Sequence, residues 1–283
     1  MRPRRSVLYM PGANARAMEK AKNLPCDSII FDLEDAVSPD SKSVARNQVE
    51  SAIQSGGYGY RELVVRCNSL HSPWGKADVE RFACADVAAL LFPKIESADE
   101  IAQILDAIDD AGGTKQIWLM IETPKGVLDV RTFAAHPNVE VLVMGTSDLV
   151  KELRAEHTAD RSNLAFALQQ CVLSARLLDK EILDGVHLDF RNQQSLREVC
   201  SGGRSMGFDG KTLIHPSQIE TANEVFGHSE ASIAGAYAVL EVWQEALASG
   251  KGVAVLDGKL VENLHAAEAE RVIAFAEALA ARG

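Results

Sequence analysis

The sequence predicts a closed (β/α)₈ barrel, a TIM barrel, followed by a C-terminal helical extension. Eight short β-rich apolar runs alternate with amphipathic stretches. They recur about every 30 residues, the size of one β/α unit. The runs are apolar almost throughout, as expected for parallel strands covered on both faces. An open doubly wound sheet is disfavoured because no Gly-x-Gly-x-x-Gly turn follows an early strand.

The candidate strands are Ser6–Met10, Ser28–Leu33, Glu62–Arg66, Ala88–Phe92, Gln116–Ile121, Glu140–Met144, Gly185–Leu188 and Gly210–Ile214. Helical periodicity marks Ala15–Leu24, Ser41–Ile53, Lys76–Ala83, Ala98–Ala111, Val127–Ala134, Arg161–Asp179 and Gln193–Met206, then Pro216–Phe226 with proline at the first helical position. The barrel is expected over residues 1–228. Residues 229–283 form the extension: a helix over Ser229–Ala248, a Gly-Lys-Gly break, a short Val253–Leu256 run, Asp257-Gly258 and a last amphipathic helix.

The 283 residues suffice for one large domain. With 47% apolar and 24% charged residues, the composition is that of a globular protein. The net charge of −11 argues against nucleic acid as a partner, because neutralising phosphates needs basic surface. No run approaches a membrane span, and Met1-Arg-Pro-Arg-Arg5 enters a strand without the apolar core of a signal peptide. The expected location is the cytoplasm, with Arg2 and Arg4 as surface residues. Five cysteines without CxxC or CxH spacing read as reduced, mostly buried thiols, and nothing marks Cys67 as a nucleophile.

Barrel chemistry sits at the C-terminal ends of the strands. Those ends are polar here: Asp32-Leu-Glu34-Asp35, Arg66-Cys-Asn68, Pro93-Lys94, Glu122-Thr123, Gly145-Thr146-Ser147-Asp148, Asp189-Phe-Arg191 and His215-Pro216. Several carboxylates at one rim need a cation or paired base to neutralise them. Glu122 and Asp148 end neighbouring strands and suit magnesium, which takes one or two carboxylates and completes its octahedron with water and substrate oxygens. Zinc lacks its usual histidine and thiolate ligands. Asp35 or Glu34 can reach the ion through water, and the plainer alternative pairs Glu122 with Arg66 or Lys94. Gly145-Thr146-Ser147-Asp148 opens a helical stretch whose N–H groups suit a carboxylate, Arg66 suits a developing enolate oxygen, and Arg16 and Lys20 can meet phosphates.

Across nearly the whole chain, in order, Ser6-Val-Leu-Tyr-Met-Pro-Gly12, Ile30-Phe-Asp-Leu-Glu-Asp-Ala-Val37, Val65-Arg-Cys-Asn68, Phe92-Pro-Lys94, Ile121-Glu-Thr123, Gly145-Thr-Ser-Asp-Leu149, Asp184-Gly-Val-His-Leu-Asp-Phe190 and Gly207 to Ile219 are similar to one family. The sequence resembles the citrate lyase β-subunit-like and malyl-CoA lyase (HpcH/HpaI aldolase) family, which includes (S)-malyl-CoA thioesterases. The resemblance implies magnesium, or manganese in its place, held by Glu122 and Asp148, with Arg66 on the thioester or acid of a coenzyme A substrate. It also implies a homo-oligomer, trimer or hexamer, whose C-terminal lid brings an aspartate to a neighbouring subunit's active site. Asp257-Gly-Lys259 resembles that segment, although it continues Leu-Val-Glu-Asn where Met-Ile-Asp is usual.

The leading expectation is retro-Claisen cleavage of a malyl-CoA-type 3-hydroxyacyl-CoA to an α-keto acid such as glyoxylate and acetyl- or propionyl-CoA. Asp35 or Asp257 is the base and Arg66 stabilises the enolate. A malyl-CoA thioesterase uses the same pocket to release malate. Also weighed are a citrate lyase β subunit, a free-acid aldolase and a non-catalytic acyl-CoA-binding barrel, against which Glu122, Asp148 and Arg66 stand.

Overall fold

The computed structural model describes residues 2–282, which divide into two compact units, Arg4–Phe226 and the remainder. The first unit is a closed parallel barrel of β1 (Ser6–Pro11), β2 (Ser28–Asp32), β3 (Glu62–Arg66), β4 (Ala89–Phe92), β5 (Gln116–Ile121), β6 (Val139–Met144), β7 (Glu181–Asp184) and β8 (Gly210–Leu213). Strand β8 returns to β1 through Ser6↔Lys211 and Leu8↔Leu213. Successive side chains alternate between two cores, as the strand period of two requires. Val7, Ile30, Val64, Leu91, Trp118, Val143 and Leu183 fill the barrel, whereas Leu8, Phe31, Val65, Leu90, Leu119 and Leu142 meet the helices outside. Each strand is therefore wet on neither face, which explains its apolar reading.

Around the barrel run α1 (Ala15–Ala21), α2 (Lys42–Ser55), α3 (Gly75–Phe82), α4 (Ala98–Asp110), α5 (Pro124–Phe133), α6 (Thr146–Glu152), α7 (Ala165–Leu177), α8 (Gln193–Met206) and α9 (Ile219–Phe226). Seven strands lie where the sequence predicts them, within a residue or so at each end. The seventh does not: β7 is Glu181–Asp184, four residues before the expected Gly185–Leu188. Ile182 and Leu183 pair with Leu142 and Val143 of β6, but charged residues flank them. Both charges are met by distant partners, Glu181 by Arg4 and Asp184 by Lys211, so a strand forms where a local apolar run is lacking. The more apolar Val186–Leu188 stretch has left the ladder.

Arg4 also departs from expectation. It is not a surface residue but only 4% exposed, at the N-terminal end of the barrel. Its guanidinium meets Glu62 at 2.7 Å, Glu140 at 2.6 Å and Glu181 at 2.8 Å, and lies 5.2 Å from the Trp118 ring centroid. Ser28 donates a further hydrogen bond to Glu62. Three glutamates at the starts of β3, β6 and β7 thus share one cation.

The second unit contains α10 (Glu230–Ala248), a hairpin of β9 (Ala254–Leu256) and β10 (Lys259–Val261), and α11 (Asn263–Ala280). Ala236 on α10 packs with Ala269, Val272 and Ile273 on α11, and Trp243 packs with Val261 and Ala266. Asp257 and Gly258 form the two-residue hairpin turn with φ of 48° and 74°. Positive φ at both positions is the type I′ pattern that Asp-Gly favours. Among the described residues no helix is long and apolar enough to cross a membrane. Cys26, Cys67, Cys171 and Cys200 are buried, Cys84 is exposed, and all five are free thiols.

Arg4→Ala should destabilise the protein by about 3–5 kcal/mol, because it removes the buried guanidinium that Glu62, Glu140 and Glu181 share. Urea unfolding at neutral pH checks this, and a loss below about 1 kcal/mol would show that the cluster contributes no more than an exposed ion pair does.

Candidate active site

A cavity of about 380 Å³ opens at the C-terminal ends of the strands. It is lined by Tyr9 from β1, Asp32 from β2, Asp35 from the following loop, Arg66 from β3, Glu122 just after β5, and Gly145-Thr146-Ser147-Asp148 where β6 passes into α6. Met120, Met144, Val186 and Ile214 supply an apolar wall, and Thr212 lies among them. The structure therefore brings together Arg66, Asp35, Glu122, Gly145, Thr146, Ser147 and Asp148. It does not bring Arg16 or Lys20 to the cavity lining; both are exposed on α1. Asp257 is exposed in the hairpin turn of the other unit.

Arg66 is held on one edge. Asp32 receives Nε at 2.7 Å and Nη2 at 2.5 Å, a two-point clamp that fixes the guanidinium plane. Asp32 is itself held by the N–H groups of Glu34 and Ala36. The Tyr9 ring lies 5.0 Å from the guanidinium carbon. The remaining nitrogen, Nη1, faces Glu34 at 2.8 Å and Asp35 at 3.5 Å. Burial works to lower the Arg66 pKa, but Asp32 overcomes it and keeps the value well above the ordinary one. The guanidinium is a permanent cation at the rim.

Glu122 is 3% exposed, and its Oε1 accepts a 3.0 Å hydrogen bond from the Lys94 backbone N–H. Burial, followed by the Glu34 and Asp148 carboxylates, pushes its pKa up to about 8 against the pull of Lys94 and Arg66. Glu34 is pushed up to about 7, by burial first, against Arg66. Its Oε2 is buried and receives no directed hydrogen bond, despite its 2.8 Å approach to Arg66 Nη1. Asp148 accepts from Lys94 Nζ at 2.7 Å. The alternative of a side-chain ion pair from Arg66 or Lys94 to Glu122 is not formed: Arg66 faces Asp32, and the Lys94 ammonium faces Asp148.

Gly145 is where β6 runs against Glu122. A Cβ at this position would collide with the Glu122 side chain, so any larger residue would push the carboxylate from its place. Thr123 then caps α5 through Gly126 N–H, turning the chain sharply after Glu122.

Metal fit follows from this donor chemistry. Two buried or half-buried carboxylates converge on a rim where Glu122 resists ionisation without added positive charge, and no histidine or cysteine lines the cavity. Hard oxygen donors of this kind fit magnesium rather than zinc. Among the described residues no group of three or more His, Cys, Asp or Glu side chains is placed to hold a metal ion. Magnesium does not require one, because it keeps water and substrate oxygens in its shell.

Sequence reasoning missed Asp32 as the clamp and Tyr9 as the surface beneath Arg66. An inward-facing position at the end of a strand was the available signal. It also missed a buried ion triad outside the barrel wall, where Asp184 of β7 meets Lys211 of β8 at 2.9 Å and Arg161 at 2.6 Å. Lys211 also donates to the Gly185 carbonyl. Arg161 anchors the α6–α7 connection, which with His157, His187 and Asp189 lines a second cavity of about 210 Å³ sharing Thr146, Ser147 and Val186 with the first. The expected end of strand seven, Asp189-Phe-Arg191, is therefore loop, and Asp184 ends that strand.

An eight-stranded parallel barrel with acidic and arginine side chains at its C-terminal mouth defines a TIM-barrel enzyme site. Residues 5–216 match the HpcH/HpaI aldolase/citrate lyase family, and the chain belongs to that family. It is 46% identical over 279 residues to a (3S)-malyl-CoA thioesterase of Cereibacter sphaeroides, covering 99% of this chain and 96% of that protein. It is 31% identical to the citrate lyase subunit beta of Escherichia coli, over 98% of this chain and 94% of that one. Among solved structures, protein CitE of Mycobacterium tuberculosis in complex with magnesium, acetoacetate and coenzyme A superposes with a TM-score of 0.77 at 25% identity. That match covers 96% of this chain and 97% of the other. The relatives named thioesterase and citrate lyase subunit are enzymes, and so is this protein.

Burial works to raise the Asp184 pKa, but Lys211 and Arg161 hold it below the ordinary 3.8. A depressed carboxylate contributes stability that is present above its unfolded pKa and is lost as pH falls through its folded value. Asp184→Asn should therefore cost about 3–5 kcal/mol near pH 7, where Lys211 is left buried without its counter-charge. The deficit should shrink as pH drops below about 4. Urea unfolding of both proteins across pH checks it, and a deficit that grows in acid would contradict the assignment.

Proposed function

We propose that the protein hydrolyses the thioester of a (3S)-malyl-CoA-type substrate, releasing the free acid and coenzyme A. The 46% identity to proteins named (3S)-malyl-CoA thioesterase, extending over 99% of the chain, carries this reading. The site supports it. No histidine or cysteine lines the cavity, and in this reading water is the attacking group. Cys67 is no substitute, since burial holds its thiol well above the usual range.

In this reading Arg66 Nη1, the guanidinium nitrogen left outside the Asp32 clamp, meets the thioester carbonyl oxygen and stabilises the negative charge that develops on it. Asp35 lines the cavity with an accessible carboxylate and takes the proton from the attacking water. The C–S bond breaks, and the sulfur leaves as coenzyme A thiolate and is protonated. Glu122 and Asp148 would hold magnesium, which supplies Lewis-acid chemistry toward the substrate hydroxyl and carboxylate. Thr146 and Ser147 face the acid end, and Arg16 and Lys20 are assigned to the coenzyme A phosphates. A cytoplasmic homo-oligomer, trimer or hexamer, in which Asp257 reaches a neighbouring copy belongs to the same reading.

Carbon–carbon cleavage is the second reading, favoured by the 31% identity to citrate lyase subunit beta. The same residues serve it, with Arg66 facing an enolate oxygen and Asp35 or Asp257 accepting the hydroxyl proton.

Purified protein supplied with (3S)-malyl-CoA and Mg²⁺ should yield malate and free coenzyme A. Glyoxylate with acetyl-CoA would instead establish cleavage, and no turnover of either kind would refute both. Arg66→Lys should lower kcat about 10²–10³-fold, as does loss of an oxyanion donor elsewhere. Glu122→Gln should abolish the response of turnover to added Mg²⁺, assayed by thiol release.

A further inference from the structure

Lys94 touches both carboxylates assigned to the metal, and it does so with two different groups. Its backbone N–H donates to Glu122 Oε1 at 3.0 Å, and its ammonium donates to Asp148 Oδ1 at 2.7 Å. The residue adopts φ 53°, a left-handed conformation that residues other than glycine seldom take. This conformation follows Phe92-Pro93 at the end of β4, between the two carboxylates. Strain of this kind persists where the surroundings enforce it and tends to collect at functional sites.

We propose that Lys94 is a built-in counter-ion that competes with the divalent cation for Asp148. In the metal-free protein the ammonium neutralises Asp148 and keeps it near Glu122. When the divalent cation binds, the ammonium leaves Asp148 while the backbone bond continues to orient Glu122. Its side chain is half-exposed, so it has a route away from the carboxylate. Lys94 is thus a positioning residue that acts through the two ligands. It lowers the affinity for the metal. The inference rests on Glu122 and Asp148 being the ligands.

Two measurements on the full chain without substrate test it. Mg²⁺ titration by calorimetry should show Lys94→Met binding about tenfold or more tightly than wild type, since a competing unit charge a few ångströms away is removed. Glu122→Gln should bind far more weakly. Independently of any substitution, limited acetylation of the wild-type protein, read by peptide mass spectrometry, should label Lys94 faster when Mg²⁺ is present. Lys125, which pairs with Asp129, serves as the internal reference. Mg²⁺ binding that Lys94→Met fails to tighten, or Lys94 labelling that Mg²⁺ leaves unchanged, overturns the Lys94 assignment while leaving the two ligands in place. Undiminished binding by Glu122→Gln overturns the ligand assignment and the Lys94 inference together.

Discussion

The mouth of this barrel depends on the pairing of Arg66 with Asp32. Five carboxylates, those of Asp32, Glu34, Asp35, Glu122 and Asp148, lie on or beside one rim. In a partly buried setting such a cluster would shed its charge by taking up protons. The two-point clamp fixes a permanent cation among them and leaves Nη1 to face Glu34 and Asp35. Lys94 supplies the second positive charge. Without these two cations the acidic residues would be neutral, displaced or exposed.

The same balance recurs twice elsewhere in the barrel unit. Arg4 offsets three glutamates at the N-terminal end, and Asp184 offsets Lys211 and Arg161 outside the wall. These clusters tie residues far apart in the chain and set the ends of the strands. Glu62, Glu140 and Glu181 all lie at or near strand starts and converge on one residue that precedes β1. A short strand such as β7 can therefore carry a charge at each end and still join the ladder. Buried pairs of this kind are expensive to break, although they add less net stability than an apolar core would. In this fold they join strand ends to residues distant in the chain.

Much of the candidate site was legible beforehand because barrel geometry converts strand ends into neighbours. Arg66, Glu122 and Asp148 could be named from the ends of β3, β5 and β6, since those runs are apolar and terminate cleanly. Asp32 was visible only as part of an acidic run; nothing local distinguishes the carboxylate that clamps Arg66 from those beside it. Gly145 reads as the start of an anion-binding helix N-terminus, and its close packing against Glu122 is seen only in the structure. The Lys94 backbone bond to Glu122 could not be read from sequence, because it depends on a left-handed φ at a non-glycine residue.

By itself, the sequence determined the eight-unit barrel, seven of its strands, the helical character of residues 230–248 and 263–280, and the acidic rim. Each follows from local periodicity and from the rule that a parallel sheet is buried on both faces. Only the tertiary structure decided where β7 begins, that Arg4 is buried and which acid holds Arg66. It alone showed that one lysine bridges Glu122 and Asp148. These are choices among ion pairs formed by residues distant in sequence, and their outcome depends on burial and angle, which no local pattern encodes.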